Sequence, residues 1–318
     1  GYMTLYSSPD EQRRQGGGGV YYHLSYWGRP HDYLWLTTTQ PGLIYREMRE
    51  AYDRQVRKIW IANVHDPKVA GYDLELFLDM AWNIDCVTDA TVADHYRQWL
   101  CRQFGTEVGE TIAPAMFEFY RLCGMRRPEF MGWTQVELDK KEYPRGLSPI
   151  SQTEMNADEA QRYLSAYERI EQTIAEAQQH LPQRLHDAYF AAVVYPVKAA
   201  SAMAHKVLSD SAESHRAYEE IQSLTAQYNA LCGGKWRHLM DAAPRQLPVY
   251  EDVHATLSGQ PLSTVWAYDA SQYQTGTAGA QKIQMLGHSM SAVALPKDGC
   301  LPYRFSLAAA GDYTLRTA

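Results

Sequence analysis

The chain has 318 residues, of which 45% are apolar and 12% aromatic, enough to fill the cores of two or three domains and to exclude a disordered chain. A net charge of -7 with no basic stripe argues against nucleic acid as a partner, and no run of 18 apolar residues is present to span a membrane. Cys86, Cys101, Cys123, Cys232 and Cys300 stand far apart without a C-x-x-C pair, so they read as free thiols rather than a disulfide framework or a zinc site.

The chain opens on Gly1 and runs through a polar stretch to four glycines at 16–19, a start expected in mid-domain. These glycines precede a strand and not a helix, so they do not match a phosphate-binding loop. Residues 20–27 and 58–64 are rich in β-branched and aromatic side chains and are expected to be strands. Between them, Pro41 suits a first helical turn, and Ile44, Met48, Tyr52 and Val56 recur every four residues. This βαβ order implies parallel strands with a right-handed crossover. A second helix follows the loop His65-Asp66-Pro67-Lys68, with Leu74, Phe77, Leu78 and Ala81 expected to face inward. Two such units do not close a barrel, so the sheet is either small and open or part of a barrel whose other strands lie upstream.

From residue 89 to 232 the pattern is helical. Val92, Tyr96 and Trp99 are expected inside, and Asn156 with Glu159 three residues on predicts a capping box. Tyr163, Tyr167, Ile170, Ile174, Ala177 and Leu181 then alternate steps of four and three, the spacing of a bundle seam. Residues 185–208 are apolar nearly all round with Pro196 in the middle, which predicts a buried, kinked helix. Tyr218, Ile221, Leu224, Tyr228 and Leu231 form a last stripe before Gly233 and Gly234. After residue 245 the helical period is lost, and short strands are expected at 265–268, 283–286, 292–295 and 303–307, with a turn at 296–299.

In a barrel, chemistry belongs to the loops after the strands. The first such loop holds His23, Tyr26, Arg29, His31 and Asp32, and the second holds Asn63, His65, Asp66 and Lys68. Asp32 and Asp66 are the candidate carboxylates for a glycosidase, although an Asp at a loop start also commonly caps a helix or pairs with a nearby Lys. His23, Tyr26, Arg29 and Lys68 suit a carboxylate on a ligand. Strand alternation would put His23 and Tyr26 on opposite faces; an early end to the strand would bring both to one pocket. The remaining histidines lie on helices without paired metal spacing, and no H-E-x-x-H motif occurs, so no metal site is expected.

The stretches GVYYHLSYWGRPHDYLW (19–35), TTTQPGLIYREM (37–48), KIWIANVHDPKVAGYDLELFLDMAWN (58–83) and GGKWRHLMDAAPRQLP (233–248) resemble glycoside hydrolase family 115, the xylan α-1,2-glucuronidases. The resemblance implies a multidomain α/β, α and β chain: the C-terminal part of a (β/α)8 barrel at 1–88, a helical bundle at 89–245 and a partial β-sandwich at 246–318. It also implies inverting release of glucuronic acid, or its 4-O-methyl form, from glucuronoxylan or xylo-oligosaccharides. No cofactor is expected, the longer protein is expected to be secreted or periplasmic, and a homodimer is one option for it. His23 and Tyr26 match family positions that contact the sugar, whereas Asn63, His65, Asp66 and Lys68 match a loop at the barrel rim. The family's acid and base are expected on earlier strands, which leaves Asp66 as the catalytic candidate in this chain. A non-catalytic carbohydrate-binding or scaffold protein is the alternative from a different class.

Overall fold

The computed structural model describes residues 10, 13–26, 35–131, 152–153, 155–252, 254, 256–257, 279–287, 290–296 and 298–303. The expected βαβ unit is present: β1 (Gly19–His23) and β2 (Ile59–Asn63) pair in parallel, in register from Gly19 opposite Ile59 to His23 opposite Asn63. Their crossover is α1 (Pro41–Asp53), which opens on Pro41 and buries Leu43, Ile44, Met48 and Ala51. Along β1, Val20 and Tyr22 are buried, and Tyr22 stacks on Phe77 of the next helix; Trp60 of β2 meets the same ring. Alternation sends Tyr21, Ile59 and Ile61 to the opposite face, where they are 58, 61 and 47% exposed.

The second helix, α2 (Gly71–Trp82), turns inward only part of the expected face: Phe77 is buried and Leu74 packs on the core, whereas Leu78 and Ala81 are exposed. Tyr72, Leu76, Phe77 and Met80 are buried, whereas Leu78 is exposed. Apolar residues surround this helix from Leu74 to Trp82, so its sequence does not define one stripe. Packing against β1 and β2 makes the choice.

The helical part follows, with α3 (Val92–Phe104), α4 (Thr106–Met125) and α5 (Ala157–Gln178). Val92, Tyr96 and Trp99 are buried as the spacing predicts. Gly109 of α4 lets the chain approach α3 closely, since a Cβ there would lie 2.5 Å from the Cys101 nitrogen. The capping box forms at α5: the Asn156 side chain accepts from the Glu159 N–H at 2.9 Å, and the Glu159 carboxylate accepts from the Asn156 N–H at 3.0 Å. All six seam residues from Tyr163 to Leu181 are buried.

The expected kink around Pro196 takes a particular form. A short α6 (His186–Tyr189) widens into a π turn over Phe190–Val194 before α7 (Tyr195–Leu208) begins with Pro196 in its first turn. Proline has no N–H to give and its ring crowds the carbonyl four residues back, so the wider turn relieves the helix there. In α8 (Ser211–Gly234), helical geometry stops at Leu231, and Gly233 and Gly234 take φ of 67° and 84°.

Of the expected C-terminal strands, those at 283–286 and 292–295 appear, each slightly shifted, as the antiparallel pair β5 (Gln281–Gln284) and β6 (Ser291–Ala294). The turn after them closes with the Gly299 N–H on the Pro296 carbonyl at 2.9 Å. The segment 265–268, and 303–307 beyond Tyr303, lie outside the described residues. A two-residue parallel bridge joins β3 (Gln152–Thr153) to β4 (Thr256–Leu257). Among the described residues every sheet is a pair of strands.

The β5–β6 hairpin docks on the start of α1. The Gly42 N–H reaches the Met285 carbonyl at 3.3 Å, and a Cβ on Gly42 would lie 2.2 Å from the Gln284 carbonyl oxygen, so only glycine fits. One continuous hydrophobic cluster runs from Val20 to Met285, with contributions from α1 to α8. No helix among the described residues is long and apolar enough to cross a membrane.

Candidate functional site

The parallel register places the C-terminal ends of β1 and β2 side by side, so the two loops that hold the candidate residues leave the sheet together. β1 stops at His23 because the next two amides, of Leu24 and Ser25, both donate to the Asn63 carbonyl, at 3.0 and 3.3 Å. The chain thereby folds over the end of β2, and alternation ceases. His23 and Tyr26 consequently meet edge to face with ring centres 4.7 Å apart. Tyr21 completes the row, its ring 5.3 Å from His23 and its hydroxyl accepting from the Asn63 side-chain amide at 3.1 Å.

This row lies on the face turned away from α1 and α2. His23 Nδ1 is buried without a hydrogen-bond partner, and so is the Ser25 hydroxyl. Both atoms are shielded from solvent, and a buried polar atom without a partner costs about 1–3 kcal/mol. Ser25 was not singled out by sequence reasoning; a serine in a loop carries no pattern of its own.

In the second loop, the Asp66 carbonyl accepts from the Val69 and Ala70 amides, both at 3.1 Å, and this turn feeds α2. The helix is capped at Ala70 without a side-chain bond, so the Asp66 carboxylate does not cap it, and Asp66 forms no ion pair with Lys68. Burial pulls the His65 imidazole below its ordinary value, while Asp66 and Asp241 pull it back up. Lys68 turns instead to Trp236, its ammonium 4.7 Å from the ring centre. Trp236 and Asp241 lie in the segment after α8 and bring the end of the helical part to the loop. Sequence reasoning missed both as site residues because nothing local links position 68 to position 236.

Arg29, His31 and Asp32 lie outside the described residues. The structure therefore brings His23, Tyr26 and Asn63 together at the strand exits and gathers His65, Asp66 and Lys68 in the adjoining loop. Among the described residues no group of three or more His, Cys, Asp or Glu is arranged to hold a metal ion.

Behind Lys68 lies a cavity of about 200 Å³, walled by rings of Tyr72, Tyr96, Trp99, Tyr195 and Tyr228. Lys68 is its one residue from the predicted set. Below it, Asp73 is fully buried, accepts from the Tyr120 hydroxyl at 3.4 Å and leaves its second oxygen unpartnered; burial drives its carboxyl well above the ordinary range. This acid belongs to the core beneath the site.

The family model described as glycosyl hydrolase family 115 matches residues 1–130. The chain is also similar to a solved structure described as a novel family GH115 4-O-methyl-α-glucuronidase with specificity for decorated arabinogalactans. The two share 38% identity with a TM-score of 0.82, over 94% of this chain and 40% of that one. This chain thus spans 40% of the length of its solved relative. No curated protein matches. A 38% identity sustained over nearly the whole chain, together with the family match across both strands and their loops, places the chain in glycoside hydrolase family 115.

Proposed function

We propose that the protein carrying this chain is an α-glucuronidase that removes glucuronic acid, or its 4-O-methyl form, from a branched glycan by inversion. The observation that carries this reading is the shared exit of β1 and β2, where His23, Tyr26 and Asn63 converge and His23 Nδ1 has no protein partner. Uronic acids present hydroxyls and a carboxylate, and this row offers an imidazole nitrogen, a phenol and an amide. Lys68 and Arg29 are the cations proposed for the carboxylate.

Inversion needs an acid and a base about 6.5–9.5 Å apart with a water between them, and no organic cofactor. Asp66 is the carboxylate of this chain proposed for that pair, with its partner on strands outside the chain. His31, Asp32 and His65 are proposed to line the pocket. The same reading makes β1 and β2 two staves of a (β/α)8 barrel, with residues 1–88, 89–245 and 246–318 as barrel, helical and β parts. The exposed apolar row of Tyr21, Ile59 and Ile61 supports it, because that face would then meet the other strands inside the barrel. We propose a secreted or periplasmic location, with glucuronoxylan or xylo-oligosaccharides as substrates. Decorated arabinogalactan is the second glycan to try, since the solved relative is described as specific for it.

The test is an assay of the full-length protein for uronic acid release from glucuronoxylan and from decorated arabinogalactan, with the anomer first released followed by NMR. Release with inverted configuration supports the reading. Binding of either glycan without any release would replace the enzyme with a carbohydrate-binding protein.

A further inference from the structure

The two loops of the candidate site are joined at both of their ends. Where they leave the sheet, the Asn63 carbonyl takes the amides of Leu24 and Ser25. Where they return to helices, the Thr37 hydroxyl donates to the Val69 carbonyl at 2.9 Å. Thr37 lies on the return of the first loop toward α1, and Val69 on the entry of the second into α2. The Val69 amide donates in turn to the Asp66 carbonyl at 3.1 Å, so the Thr37 bond ends on the turn that carries Asp66 and Lys68. Two residues on, buried Thr39 donates to the Leu24 carbonyl at 3.4 Å, next in sequence to His23. Thr37 thus ties the first loop to the second, while Thr39 ties the first loop's return to its own start.

Resting on the glucuronidase reading, we propose that Thr37 is a positioning residue for the hydrolysis, its hydroxyl holding the Asp66–Lys68 turn in place against the loop of His23 and Tyr26. It acts through Val69 and not by contact with the sugar. One neutral hydrogen bond adds little to the stability of a whole fold, but it bears directly on a loop, where local opening is easiest. A misplacement of about 1 Å at a reacting group can cost on the order of 100-fold in rate, so a small shift of this turn is felt in the chemistry. Thr39 fastens the other loop by itself, which keeps the His23 side independent of the Thr37 bond.

The test compares Thr37→Val and Thr37→Ser in the full-length protein, by the kinetics of uronic acid release and by hydrogen exchange. Valine keeps the shape and loses the donor; serine keeps the donor. Thr37→Val is expected to lower kcat/KM roughly twofold to tenfold, the scale of one neutral hydrogen bond, with Thr37→Ser close to the wild type. Exchange at the Val69 and Ala70 amides should quicken in the valine variant, and exchange at Leu24 and Ser25 should not. Combined with Asp66→Asn, the loss should fall short of the product of the two single losses, because no working carboxylate is left to place; combined with His23→Ala, the losses should multiply. A substitution that merely loosened the fold would multiply with both. Unaltered kcat/KM in Thr37→Val, a loss that serine does not restore, or a loss that multiplies with Asp66→Asn would overturn the assignment. A wild type that releases no uronic acid from either glycan sinks the hydrolase reading by itself, and exchange at Val69 then decides alone whether the brace exists.

Discussion

His23 and Tyr26 stand ring edge to ring face at 4.7 Å, although an uninterrupted strand would point them in opposite directions. The relationship exists because the Asn63 carbonyl takes two successive amides from the other chain segment and ends β1 at His23.

If the pair contacts the sugar, removing the imidazole is the more damaging change, because it deletes both the free Nδ1 and the surface on which Tyr26 leans. His23→Ala should lower kcat/KM by roughly 10- to 100-fold in the full-length enzyme, the scale of one or two buried hydrogen bonds. Tyr26→Phe keeps the ring contact and should cost less than about tenfold. Unaltered kinetics in both variants would remove the pair from the mechanism.

Asp73 gives a pH prediction. Its folded-state pKa is raised above the ordinary 3.8 by burial. The folded protein therefore holds a proton that the unfolded chain releases, and the stability from this group is complete below pH 3.8 and is lost as pH climbs toward the folded value. Asp73→Asn keeps the shape and never ionises. The difference in Tm between Asp73→Asn and the wild type should shift in favour of the variant as pH rises from 3.8 to neutrality; a constant difference would contradict the assignment.

Gln40 gives a packing prediction. It is buried, and its side-chain amide donates to the Gly287 carbonyl at 3.0 Å and accepts from the Gly287 N–H at 2.8 Å. Gln40→Ala leaves both Gly287 groups without that partner and should destabilise the protein by about 1–3 kcal/mol. Chemical denaturation measures the loss, and hydrogen exchange at Gly287 should quicken.

The capping box gives a smaller and local effect. Asn156→Ala removes the acceptor of the Glu159 amide at the start of α5 and should cost about 0.5–2 kcal/mol in denaturant melts. Asn156→Asp retains an acceptor and should recover most of it.

Much of this architecture could be read from residue order. The four-residue spacing of Ile44 and Met48, the Asn156–Glu159 signature and the steps from Tyr163 to Leu181 each encode their element locally, and each element formed. The inward face of α2 could not be read, because Leu76 and Leu78 are equally apolar and only the neighbouring strands choose between them. Pro196 announced a disturbance, but not that the preceding turn would widen to a π geometry. At the site, the meeting of His23 with Tyr26 was one of two legible alternatives, and the Asn63 carbonyl decided it. The approach of Trp236 to Lys68 joins distant segments and leaves no periodic trace.

The clasp between Gln40 and Gly287 also fixes an order of events during synthesis. The two residues are 247 positions apart, so at roughly 5–20 residues per second the first waits on the order of 10–50 s for its partner to leave the ribosome. Until then the start of α1 lacks its hairpin cover. A nascent chain released before that point would expose this seam.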